Sequence, residues 1–189
     1  MKRDLERAGA LLKDTLLEAE GLAGSCEEAG WSWKPAPGVW SAAACLAHLN
    51  QTNREYVASI RRIVIGGSPM LSDAPLFRYG LLERWFVKSM GPPVKVRLKA
   101  PKVFAPQSEN SRDETMAEWR RIHLELMSLI EESARLDLRK NRVISPVSRH
   151  FQISLGMVFP LIAAHNRRHL FQARRTLEYA ASSLAGSRS

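Results

Sequence analysis

Apolar residues return every three or four positions in four stretches of the chain, and each stretch predicts an amphipathic helix. In the first, from about Lys2 to Ala23, Leu5, Ala8, Leu12, Leu16, Ala19 and Ala23 make one stripe. The second opens at Ser41, a residue whose hydroxyl suits an N-cap, and runs to about Ile65. Cys45, His48, Thr52, Tyr56 and Ile63 fall near one face of it, and Gly66-Gly67-Ser68-Pro69 ends it. Ser111-Arg112-Asp113-Glu114 reads as a capping box and starts the third. Met116, Trp119, Ile122, Leu126 and Leu129 point inward there, and the helix ends near Ala134. The fourth starts between Ser154 and Phe159 and runs to about Ala180. Pro160 is tolerated only in a first turn, which favours the later start.

The intervening stretches lack this period. Gly24 to Trp40 is rich in turn residues, with Pro35, Pro37 and Gly38 as breakers. Met70 to Gln107 reads as a long crossover that holds a short amphipathic helix at Leu76–Val87 and an alternating, extended segment at 94–99. Pro101 and Pro106 argue against a central strand. Leu136 to Leu155 is irregular. The expected fold is therefore all-α: a four-helix bundle with long crossover connections, one domain over residues 1–181, and a frayed tail at 182–189.

Composition narrows the picture. An apolar fraction of 45% in 189 residues can bury one real core. No apolar run reaches the roughly 20 residues of a membrane span, and no signal core follows the N-terminus. Cys26 and Cys45 give neither a disulfide framework nor a cysteine-type zinc site, which fits a reducing cytoplasm. The net charge of +9 permits anionic partners, though a solvated basic surface explains it as well.

The candidate chemistry lies in histidines. His165 and His169 stand four residues apart, on one face of the fourth helix, in line with Ile162, Gln172 and Thr176. Asn166 occupies the place where a zinc protease carries its glutamate base, so that chemistry is excluded. His48 lies on the inward face of the second helix, and neighbouring helices can bring it to the same point. Three neutral imidazoles suit a divalent transition metal such as Zn, Ni or Fe and leave a coordination position open. His123, at the edge of an apolar stripe, and His150, in a loop, are set aside. Trp31, Trp33 and Trp40 read as a lid over the bundle end.

The segment Val39-Trp40-Ser41-Ala42-Ala43-Ala44-Cys45-Leu46-Ala47-His48-Leu49 resembles the Trp-Ser…His-Leu signature of the DinB/YfiT-like superfamily. His165-Asn166-Arg167-Arg168-His169-Leu170-Phe171-Gln172 is similar to that family's second signature, His-x-x-Arg-His-Leu-x-Gln. The resemblance implies a four-helix bundle with a long crossover, often a homodimer, and a metal held by His48, His165 and His169. It also implies chemistry of the kind found in thiol S-transferases that use a low-molecular-weight thiol, in a mycothiol-dependent isomerase, or in hydrolase-like relatives. The chain departs from the family pattern at Ala44, where a Glu or Gln is usual. That departure bears on activity more than on the metal.

Two function classes follow. One is a metal-dependent thiol transferase or hydrolase acting on a small molecule, with Gln172, Thr52 and Arg168 as supporting or substrate-facing residues. The other is a non-catalytic metal-binding or stress-response module with a vestigial site. Nucleic-acid binding ranks last, because no helix-turn-helix, zinc-finger or aromatic-basic motif accompanies the arginines.

Overall fold

The computed structural model describes residues 2–71, 81–91, 110–146 and 148–186. Their elements are α1 (Lys2–Gly24), α2 (Glu28–Ser32), α3 (Ala42–Gly66), α4 (Leu81–Met90), α5 (Arg112–Ser133), β1 (Arg142–Ser145), β2 (Ser148–Ser154) and α6 (Leu155–Gly186). The four long helices, α1, α3, α5 and α6, are the four that the periodicity predicts. Among the described residues the fold is all-α apart from one antiparallel hairpin. The local signals act as expected: the Ser41 hydroxyl accepts from Ala44 N–H at 3.1 Å, and Ser111 and Glu114 form a reciprocal capping box. Caps of this kind contribute about 1 kcal/mol each.

Side-chain pairs fix the helix directions. Arg54 meets Glu118 and Arg61 meets Glu125, so α3 and α5 run parallel. Glu20 meets Arg120 while Thr15 meets His123, so α1 and α5 run antiparallel. His48 faces His169 and Asn53 faces Asn166, which makes α3 and α6 antiparallel. Around the bundle the order is α1, α6, α3, α5. A parallel α3–α5 pair requires the chain to travel back along a helix length, and that is why a long crossover separates them. Within that crossover, Val87 and Met90 of α4 add to the core. The extended segment expected at 94–99 lies outside the described residues.

The interior divides into two apolar storeys. One gathers Leu12, Ile60, Ile122, Leu126, Phe159 and Ile162; the other gathers Ala19, Trp31, Leu46, Leu49, Trp119 and Leu170. Between them lies a layer of buried polar residues: Thr15, Asn53, His123 and Asn166. The candidate site adjoins this layer, with His165 directly preceding Asn166.

Three local readings need correction. Residues 28–32 form a short helix inside the stretch read as turns, with Trp31 fully buried. The stretch read as irregular holds the hairpin, in which Val143 pairs with Ile153 and both close the core; His150 is therefore in β2 and not in a loop. And α6 begins at Leu155, earlier than the proline suggested. Its first amides are already satisfied, Leu155 N–H donating to Asn141 O at 2.9 Å and Gly156 N–H to Leu138 O at 3.0 Å. Pro160 then falls in the second turn, where the ring removes one rung of the helix ladder.

Candidate metal centre

His48 projects from α3, two turns after Ser41, whose hydroxyl and the first-turn amides fix the helix start. His165 and His169 project from α6, one turn apart. The three rings meet. His48 Nε2 lies 3.4 Å from His165 Nε2, and one nitrogen from each ring falls within 4.8 Å of the other two. Ring centroids are 4.7 Å apart for His48 and His169 and 4.8 Å for His165 and His169. His48 is buried and the other two are half-buried, so the cluster lies just beneath the surface.

The donor set fits a divalent transition metal. Two ligands on one tetrahedral zinc stand about 3.3 Å apart, the separation that ~2.05 Å bonds require. The His48–His165 distance already matches. Burial pushes the His165 imidazole down to about 3, with the charges of His48 and Arg168 acting in the same direction. His169 is held well below the usual histidine range, first by burial, then by His165, His48 and Arg168; the side chain of Gln172, able to accept from the protonated ring, works the other way. These rings keep their lone pairs at neutral pH. Nδ1 of His169 is buried without a hydrogen-bond partner, and coordination is one way such a group is satisfied.

The surroundings sort the other candidates. Trp40 stands just before the N-cap of α3. Its ring lies 5.7 Å from His169, stacked at 25°, and 5.0 Å from His48, so it forms an apolar wall of the site. Trp33 is half-buried and Trp31 belongs to the core. The hydroxyl of Thr52 is committed to its own helix, donating to His48 O at 3.0 Å and Leu49 O at 3.1 Å. Thr52 thus braces the backbone beneath His48. Gln172 is half-buried one turn beyond His169. Arg168 is also half-buried; burial lowers its pKa, and its charge reaches both α6 histidines.

His123 is not at the flank of its helix. It is fully buried in the polar layer, its ring 3.9 Å from that of Trp119. Its Nδ1 lies 3.0 Å from Trp119 O, and its Nε2 lies 3.3 Å from both Asn166 Nδ2 and Thr15 Oγ1. Asn53 Nδ2 in turn donates to Asn166 Oδ1 at 3.0 Å. The available signal for this layer was the interruption of the first helix's stripe at Thr15, between Leu12 and Ala19. Asn53 and Asn166 gave none that separates them from surface asparagines.

The chain matches the DinB superfamily over residues 11–173 and belongs to it. No curated protein and no solved structure matches it.

Proposed function

We propose that this member of the DinB superfamily holds one divalent transition metal, Zn, Ni or Fe, on His48, His165 and His169, and that it acts on a small molecule by transferring a low-molecular-weight thiol or by hydrolysis. The observation that carries the reading is the convergence of three imidazoles, from two helices, with no carboxylate among them to take a proton. A bound cation supplies positive charge that favours thiolate over thiol and hydroxide over water. The chain's own residues do the rest. His165 and His169 stay neutral and so remain ligands. Trp40 packs on two of the rings and presents an apolar surface to an electrophile. Arg168 draws an anionic thiol or substrate toward the same opening.

A non-catalytic reading has one observation in its favour. The cluster contains histidines only, and Ala44 supplies no polar group near the start of α3. Elemental analysis of untagged protein should find close to one transition metal per chain, and His165→Ala should lose most of it. A panel of cellular thiols, assayed against one alkyl halide and one epoxide with and without metal, then separates the two readings. Absence of metal even after reconstitution would end both. Metal without any rate above the His48→Ala background would leave the binding module.

A further inference from the structure

The polar layer crosses all four long helices: Thr15 lies on α1, Asn53 on α3, His123 on α5 and Asn166 on α6. Its hydrogen-bond directions follow from a single fixed point. The carbonyl of Trp119 can only accept, so His123 Nδ1 carries the hydrogen and Nε2 accepts. The group of Asn166 facing Nε2 must then be its amide NH2, which turns Oδ1 toward α3. There Oδ1 meets the NH2 of Asn53. Reversing Asn53 would set two oxygens face to face, and its own Oδ1 remains without a partner. One carbonyl on α5 thus dictates the orientation of side chains on α6 and α3.

Asn166 directly follows His165 and precedes His169 by three residues, so whatever fixes its direction fixes theirs. The tolerance is small. An imidazole nitrogen about 6 Å from the helix axis moves roughly 2 Å when the helix turns by 20°. Metal–ligand distances hold to within about 0.2 Å. The two apolar storeys meet at this level, and leucine-type contacts permit such a turn far more readily than an amide pair does.

We propose that the buried chain Asn53–Asn166–His123, with Thr15 against it, is the positioning device of the metal centre: it sets the rotation of α6 against α3 so that His165 and His169 meet His48. None of its four members belongs to the ligand cluster, and His123 stands on a helix that contributes no ligand. The inference rests on the metal reading above.

The test uses cobalt(II) as probe on the full chain. Asn166→Leu and His123→Leu should each weaken cobalt binding by about 10- to 100-fold and shift its visible absorption spectrum, the range usual for loss of a supporting group. His123→Gln, whose side-chain oxygen can take the place of Nε2 as acceptor, should restore binding close to wild type. A merely structural role predicts instead that His123→Leu and His123→Gln behave alike once both are folded. Wild-type cobalt affinity and spectrum in both leucine variants would overturn the proposal. If Asn166→Leu does not fold, the two His123 variants decide. Long-range 1H–15N spectra of the histidine rings in chelated protein give a readout free of metal. Should the wild type take no cobalt, the metal reading fails, and these spectra decide the positioning claim by itself: altered His48, His165 and His169 signals in His123→Leu support it, and unchanged ones end it.

Discussion

His123 is the residue whose chemistry departs furthest from what its position in the chain suggests. Burial pushes it down to about 4, against which its bond to the Trp119 carbonyl acts only partly. In the unfolded chain it titrates near ~6.5. Between those values the unfolded state takes a proton that the folded state refuses, so stability falls as pH drops. The contribution is complete above about pH 6.5 and is lost progressively toward pH 4, on the order of 3 kcal/mol in all. In metal-free protein His165 and His169 add to the same slope, because they are depressed in the same direction. Urea unfolding at pH 7 and pH 4 should therefore show a larger loss for wild type than for His123→Gln, and equal losses would refute the assignment. The pair His165 and His169 was legible because spacing of four on one helix is itself a geometric statement, and His48 because it falls on the inward face of its own helix. His123 was not, because a histidine bounded by Trp119 and Ile122 looks the same whether it lies at the rim of a stripe or at its centre. Only the packing of α1 and α6 across it distinguishes the two.

At the scale of elements, the long helices were readable because each carries its own stripe and two of them their own caps. The hairpin and α2 were not. In β1 and β2, among the residues whose side chains are described, Val143 and Ile153 are the apolar ones that serve the core, too few to establish a period of two. The five residues of α2 span little more than one turn, too short for a period of 3.6. The junction after α3 shows how such irregular pieces are still tightly specified. Asn141 donates to Ser68 O at 2.8 Å and to Asp137 O at 2.9 Å, and accepts from Ser68 N–H at 2.9 Å. Gly67 sits beneath it in an ordinary extended conformation, φ −77°. A methyl group there would come within 2.7 Å of Asn141 Oδ1 and still closer to the carbonyl of Ile63. The requirement for glycine is thus steric and not conformational. Gly67→Ala should cost roughly 1–3 kcal/mol, as overpacking does. For a domain of this size that lowers the melting temperature by about 2–12 °C. A melting curve superimposable on wild type would show that the loop gives way freely.

For the whole molecule, charge does little of the binding together. Arg54, Arg61, Arg120, Arg121 and Arg174 reach glutamates across the surface, but these arginines are more than half exposed. Such pairs are worth about 0–1 kcal/mol each. Cohesion comes from the two apolar storeys, and the polar layer between them is the level at which the helices gain least from burial. Next to that layer His48 on α3 faces His165 and His169 on α6, with one buried nitrogen without a partner. A cation held there joins two antiparallel helices. The unfolded chain cannot match this, because 117 residues separate His48 from His165. Binding confined to the folded state adds about 2.7 kcal/mol when free metal stands at 100 times its dissociation constant. Scanning calorimetry should accordingly show the melting temperature rising by roughly 5–10 °C with zinc or nickel and falling back after EDTA. In His48→Ala, which leaves most of both apolar storeys in place, the rise should vanish while the metal-free melt stays near wild type. A melting temperature indifferent to saturating metal in the wild type would mean that the cation, if bound at all, is held equally well by the unfolded chain, and the three histidines would then not be a folded-state site.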